Sequence, residues 1–452
     1  MQRPSGLSNA LFADLYELTM AQAYWQAGRT GPATFSLFFR NYGPDRAYAV
    51  VAGLEEALEY MEALAFSDED VAYLRGTGLF QDAFCEYLRD VRFTGSVRAM
   101  AEGEVAFADE PVLEVEGPII EAQLVETFLM NTLNVHSVLA TKASRVVHAA
   151  AGRAAVEFAA RRTHGQDAAD RLARASYIAG FAATSNVLAA ARYGIPPAGT
   201  MAHSFIMSFP SEREAFMAYA ASFPDTATLL VDTYDTAHGV ANAIEAARWL
   251  RERGHALRAV RLDSGDLGAL SRQTRAMLDE AGFPEVTVFA SGGLDEFSVD
   301  ALMRAGAPIA GFGVGTKLGV AADAPWMDWA YKLVAHDGQP ALKLSTGKAT
   351  LPGPKQVYRR TGFGGDVIAL AHEPAPAGTR ALLAEVLRDG KRRGPQEPLS
   401  AMRERFATNF AALPPAHKAL REPARYPVAH SAALDALATQ VTQQVRAQEL
   451  GE

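Results

Sequence analysis

A single cysteine, Cys85, stands in a chain of 452 residues. That scarcity excludes an internal disulfide and any zinc site built from several thiolates, and leaves a buried thiol packed as a small apolar side chain as the expected role. Long apolar runs are missing as well: no stretch reaches the roughly 18 residues that a membrane-spanning helix needs. The first ten residues are too polar for a secretory signal, so a cytoplasmic location is expected. Basic residues are in deficit, 43 Lys and Arg against 52 Asp and Glu, and the net charge of −9 argues against a nucleic-acid coat. Local cations at Arg161, Arg162, Arg261 and Lys317 can still build a positive pocket for a small anion, because steering follows the local field more than the total. The phosphate-loop string GxxxxGK[ST] is absent, as are low-complexity segments.

What is present suits a large buried core, with 49% hydrophobic and 21% charged residues. The length exceeds that of an ordinary single domain, so a second domain is expected. Between residues 154 and 316, short apolar runs end in polar or glycine clusters: AVEFAARRTHG (155–165), AGTMAHSF (198–205), LLVDTYDT (229–236), AVRLDSGD (259–266), VTVFASGG (286–293) and APIAGFGVGT (307–316). Helical spacing fills the gaps, as in Val240, Ile244, Ala247 and Leu250 before Gly254. Alternating strand and helix predicts a parallel sheet in a (β/α) barrel, whose active site forms at the carboxyl ends of the strands.

The flanks read differently. Residues 33–51, 92–120 and 331–371 show strand-like alternation, with a helix at about 120–133. The fold class is therefore α/β: an irregular (β/α) barrel, 146–330, inserted in a discontinuous α/β sandwich domain formed by 1–145 and a return segment, 331–375. Residues 376–452 read as a peripheral extension of helix and loop, without recognisable chemistry.

The motifs DLYELTMAQAYW (14–25), FFR (38–40), LMNTLNVHSVLATKASR (129–145), RRTHG (161–165), TSNVLAA (184–190), GTMAHSF (199–205), LLVDTYDT (229–236), RLDSGDL (261–267), ASGGLDE (290–296), GFGVGTKL (311–318) and KLSTGKATLPG (343–353) stand in an order that resembles the nicotinate phosphoribosyltransferases, a type II phosphoribosyltransferase family. The resemblance implies an enzyme of NAD salvage that joins nicotinate to phosphoribosyl pyrophosphate, with Mg²⁺, and with ATP as co-substrate. It also implies a head-to-tail homodimer with shared sites; the charge and the lack of long apolar runs argue against nucleic-acid or membrane partners.

The resemblance makes His203 the residue phosphorylated by ATP. A neutral imidazole nitrogen is a good nucleophile toward phosphorus, although a histidine at this place can equally cap a loop. Asp263 and Arg261 complete the catalytic set: the carboxylate stabilises positive charge developing on the ribose, the guanidinium forks onto an anion, and strand alternation puts both on one side. Asp232 and Asp235 are hydroxyl or magnesium-water contacts by the same logic, with helix capping the alternative for Asp235; the direct metal ligands stay open. Ser291, Gly292, Gly293, Gly313, Gly315 and Thr316 form two loops in which bare backbone can approach phosphate, in the place where barrels bind it.

For nicotinate the resemblance implies stacking on Tyr16 and Phe158, with Arg161, Thr184 and Ser185 near the carboxylate; Arg162 is the alternative to Arg161. Tyr16 and Arg40 are expected to complete the partner subunit's site, Arg40 on the phosphates. Lys142, Arg145, Lys343, Lys348 and Lys355 are further pyrophosphate candidates. The alternatives are a nicotinamide or quinolinate phosphoribosyltransferase, a barrel oxidoreductase that would need a cysteine at a strand end, and a non-enzymatic ligand-binding barrel, against which the joint presence of His203, Arg261 and Asp263 argues.

Overall fold

The computed structural model describes residues 6–345 and 350–451. The chain forms two compact units, Leu139–Pro325 and a discontinuous one of Met1–Val138 with Trp326–Glu452. Among the described residues no helix is long and apolar enough to cross a membrane.

In the first unit six parallel strands form an irregular (β/α) half-barrel. Their spatial order is Ala183–Thr184, Ala154–Glu157, Gly311–Val314, Thr287–Ala290, Ala259–Leu262 and Thr228–Leu230. Short apolar runs become strands here because both faces are covered. Leu229, Val260, Leu262 and Val288 pack with Phe216, Val240, Ile244, Leu250 and Leu278 from the surrounding helices. The helix Thr236–Arg251 buries Val240, Ile244, Ala247 and Leu250, the stripe read from its spacing. Asp235 caps its start, accepting a hydrogen bond from the His238 N–H at 2.8 Å. Each fully buried aliphatic side chain contributes about 1.5–3 kcal/mol, so Leu250→Ala would cost about 2–5 kcal/mol.

One strand is not where the sequence reading puts it. The run at 198–205 is irregular and leads into the short helix His203–Met207. The sixth strand is Ala183–Thr184, and Pro197 meets Thr184 in one isolated bridge. Pro196 and Pro197 carry no N–H, so this segment cannot propagate a ladder.

The discontinuous unit holds an antiparallel sheet of seven strands, in the order Gln339–Pro340, Trp329–His336, Pro32–Phe39, Leu113–Pro118, Ser96–Ala99, Ala384–Arg388, Lys391–Arg392. Phe35 lies opposite Leu333 and Val115, and its ring stacks on Tyr331 at 4.8 Å. A second sheet of four strands contains Lys355–Arg360 and Asp366–Leu370. Residues beyond 376 give helices, as read, but also the strands Thr379–Ala381, Ala384–Arg388, Lys391–Arg392 and Val428–His430, which join both sheets. These strands are short and polar, so alternation does not reveal them. Cys85 is a free, buried thiol.

Candidate active site

The ends of the parallel strands gather the chemistry of the first unit. Arg261 lies on the strand Ala259–Leu262, and Asp263 follows it directly. Alternation puts the two on one face, where Arg261 Nη2 stands 3.6 Å from Asp263 Oδ1. Ser291, at the end of the next strand, donates to the same Oδ1 at 2.5 Å. The other oxygen, Oδ2, faces His203 Nε2 at 4.0 Å. His203 Nδ1 meets Thr233 Oγ1 at 3.1 Å.

Asp232 braces this turn from below, its Oδ2 accepting from the Asp263 N–H at 3.0 Å and from Ser264 Oγ at 2.6 Å. Its buried Oδ1 has no hydrogen-bond partner among the described residues. Arg261 donates through Nη1 to Thr200 Oγ1 and the Met201 carbonyl, while its buried Nε is without an acceptor among the described residues. Burial depresses the Arg261 pKa and Arg161 adds to that, against the pull of Asp263 and Asp232. A buried guanidinium with an open N–H beside a second cation is a place for an anion. Arg162 is exposed, like Arg161, and Arg161 is among the main charges acting on Arg261.

Gly292 has φ +92, and a Cβ there would fall 1.8 Å from the Asp263 carbonyl oxygen, so only glycine lets the Ser291–Gly293 turn close on Asp263. Gly293 is exposed beside it. Gly315 and Thr316 open the four-residue helix Thr316–Gly319. Gly313 is different from the loop glycine the sequence reading describes: it is buried within the strand Gly311–Val314, in register with Val156. Lys317, read as a pocket cation, pairs with Asp295 at 2.6 Å, and Asp295 caps Glu296–Arg304.

Phe158 follows the strand Ala154–Glu157, with its ring 5.9 Å from the Arg261 guanidinium. Thr184 is fully buried and its hydroxyl donates to Glu157 Oε2 at 2.5 Å, so it braces the strand end and does not face a ligand. Burial raises the Glu157 pKa. Ser185 is exposed next to it, its N–H on the Glu157 carbonyl.

Two pyrophosphate candidates are interior. Lys142 and Arg145, each 1% exposed, pair with Glu296 at 2.5 and 3.0 Å, and Lys142 also reaches Asp323 at 2.8 Å. Such a desolvated network holds helices together and has no free cation to offer. In the other unit, buried Lys355 donates to the Gly353 carbonyl at 2.6 Å and faces Glu114. Lys343 is exposed, and Lys348 lies outside the described residues. Arg40 lies 3.8 Å from Asp328, and Tyr16 is 45% exposed on the helix Leu15–Gln26. Burial, then Glu126 and Glu17, pushes the Tyr16 phenol well above its ordinary value.

Sequence reasoning missed Thr200, Thr233 and Glu157 as site-shaping residues. Both threonines lie inside quoted motifs, but a hydroxyl carries no spacing signal of its own.

Hard oxygen donors are present for a divalent cation: the unpartnered Asp232 Oδ1 and the outward Asp263 Oδ2 suit Mg²⁺, which commonly takes one or two carboxylates with substrate phosphates. No group of three or more His, Cys, Asp or Glu able to enclose a metal occurs among the described residues.

Known proteins share this architecture and sequence. Residues 11–134 match the nicotinate phosphoribosyltransferase N-terminal domain, 154–342 the nicotinate phosphoribosyltransferase family, and 375–438 the nicotinate phosphoribosyltransferase C-terminal domain. The chain is 52% identical over 427 residues to nicotinate phosphoribosyltransferase pncB2 of Mycobacterium tuberculosis, covering 93% of this chain and 91% of that one. It is 43% identical to the nicotinate phosphoribosyltransferase of Bacillus subtilis over 413 residues, 90% and 82% of the two chains. The crystal structure of human nicotinic acid phosphoribosyltransferase superposes with a TM-score of 0.86 at 31% identity, covering 96% of this chain and 100% of that one. Three domain matches in chain order and relatives aligned over nine-tenths of the sequence leave one conclusion: the chain belongs to the nicotinate phosphoribosyltransferase family and is an enzyme of that kind.

Proposed function

We propose that this enzyme joins nicotinate to phosphoribosyl pyrophosphate, releasing pyrophosphate and forming nicotinate mononucleotide, and that ATP drives the reaction through a phosphorylated His203. The observation that carries the reading is the convergence of His203, Asp263 and Arg261 at one mouth, with Asp263 between the other two.

The nicotinate ring nitrogen attacks the anomeric carbon as its bond to the pyrophosphate oxygen breaks, and positive charge develops on the ribose. The Asp263 carboxylate, held by Ser291, supplies the opposing charge in a preformed position. Arg261 offers its open Nε to an anionic group of the substrates, and the Ser291–Gly293 turn and the backbone at Gly315 and Thr316 cradle phosphate. Asp232 and Asp263 would hold Mg²⁺, which would supply charge neutralisation to the phosphates. Phe158 stacks on the nicotinate ring, with Arg161 and Ser185 near its carboxylate. These contacts mainly position and stabilise charge.

With Nδ1–H of His203 donating to Thr233, the Nε2 lone pair is the one open to the γ-phosphorus of ATP. The bond to ADP breaks as the N–P bond forms, and hydrolysis of the phosphohistidine returns phosphate and free imidazole.

The enzyme acts as a homodimer in the cytoplasm, Tyr16 and Arg40 completing the partner's site. Exposure of Phe12, Leu15 and Tyr16 near the start of the chain supports a covering partner. Incubating the protein with phosphoribosyl pyrophosphate, Mg²⁺ and nicotinate, nicotinamide or quinolinate, with and without ATP, tests the assignment. Nicotinate mononucleotide should form and ATP should speed it; a nucleotide made only from another base would overturn it.

A further inference from the structure

Two of the four residues in the strand Gly311–Val314 are glycines, and both are buried in the ladder. Glycine inside a strand weakens it, so a close approach by another group is the usual reason for its presence. Backbone freedom is not the reason here, since neither Gly311 nor Gly313 has a positive φ. Space is. A Cβ on Gly313 would lie 2.6 Å from both Cδ2 and Cε2 of Phe158 and 3.0 Å from Cε1 of Phe289. A Cβ on Gly311 would lie 3.0 Å from Cε2 of Phe289. The two rings pack at 6.1 Å with 48° between their planes, so Phe158 cannot simply lean onto Phe289 to make room. On another side, the Arg261 guanidinium lies 5.9 Å from the Phe158 ring, tying that ring to the cluster of Arg261 and Asp263.

We infer that Gly313 is a positioning residue for the aromatic substrate: the space left by its missing side chain sets where the Phe158 ring lies, and through it how deeply a flat carboxylic acid can stack in the mouth. The inference rests on Phe158 as the stacking partner, proposed above. It gives Gly313 a role distinct from the exposed phosphate-loop glycines, because its backbone is in register with Val156 inside the sheet.

The test is a double-mutant cycle on Gly313→Ala and Phe158→Ala, reading the KM for nicotinate, the KM for phosphoribosyl pyrophosphate and the thermal unfolding midpoint. Gly313→Ala should raise the nicotinate KM by about tenfold while the phosphoribosyl pyrophosphate KM stays within about twofold. In the Phe158→Ala background the added methyl group should change the nicotinate KM and the midpoint far less than in the parent, since the two nearest atoms it would strike are gone and only Cε1 of Phe289, at 3.0 Å, remains. Additive effects of the two substitutions, or an equal rise in the phosphoribosyl pyrophosphate KM, would overturn the inference. If Gly313→Ala alone unfolds, recovery of the folded protein in the double variant supports the inference and lack of recovery sinks it. Failure of the stacking reading is separate: it shows as a Phe158→Ala variant with an unchanged nicotinate KM.

Discussion

The Nε2 atom of His203 stands 4.0 Å from Oδ2 of Asp263, and the rest of each side chain is already held: Nδ1 by Thr233, Oδ1 by Ser291. This leaves one nitrogen and one oxygen facing each other. In the proposed reaction the phosphoryl acceptor and the charge-stabilising carboxylate are thus neighbours, through which ATP turnover would bear on the transfer step.

His203→Ala removes the acceptor nitrogen but leaves the pocket. Labelling by γ-labelled ATP and stimulation by ATP should both vanish, while slow ATP-independent synthesis persists. Acid-labile label on the variant would assign the phosphoryl group elsewhere.

Asp263→Asn keeps the hydrogen bonds of that side chain largely in place and removes its charge. The turnover number should fall by about 10²-fold, with a much smaller change in the Michaelis constants. A change confined to the Michaelis constants would make Asp263 a binding residue only.

Arg40→Ala and His203→Ala proteins, each without ATP-stimulated synthesis, should restore it to each other after subunit exchange. A mixed dimer with shared sites has one site carrying both lesions and one carrying neither. Differently tagged subunits that co-purify yet show no ATP-stimulated synthesis would show that each site is built within one chain.

Lys142→Met should lower stability by about 3–5 kcal/mol, because it takes a paired cation away from the buried carboxylates of Glu296 and Asp323. Its folded fraction should keep the normal Michaelis constant for phosphoribosyl pyrophosphate. A raised constant at an unchanged unfolding midpoint would return Lys142 to the substrate.

Glu17 is buried, with one oxygen on Thr127 and Oε2 without a hydrogen-bond partner among the described residues; burial raises its pKa from 4.5 to about 7. The carboxyl therefore binds more protons folded than unfolded across that window, and its contribution to stability is lost as pH rises from 4.5 through about 7. Glu126, Asp14, Tyr16, Tyr60 and Tyr331 are titratable groups that interact with it, and Lys332 acts in turn on Glu126. Glu17→Gln mimics the protonated form, so its unfolding midpoint should exceed that of the parent at pH 8 by more than at pH 5. An equal difference at both pH values would show that Glu17 does not titrate between them.

Much of the barrel was legible in the sequence. The helix stripe at Val240, Ile244, Ala247 and Leu250 and the pairing of Arg261 with Asp263 follow from periodicities of 3.6 and 2, local properties of a chain buried on one side. The strand Ala183–Thr184 was not legible, because two residues carry no period, and the run at 198–205 looked like a strand although Pro196 and Pro197, just before it, break the ladder.

By itself, the sequence determined the α/β class, most of the strand and helix alternation between 154 and 316, and the family, because these rest on local pattern and on motifs in series. Only the tertiary structure decided which charges stay available and which are spent. Lys142 and Arg145 look on paper like any basic pair, and burial against Glu296 and Asp323 turns them into a structural network. Gly313 looks like part of a phosphate loop, and the approach of Phe158 gives it a different reason to lack a side chain. Desolvation and steric contact depend on residues distant in the chain, so no window of sequence contains them.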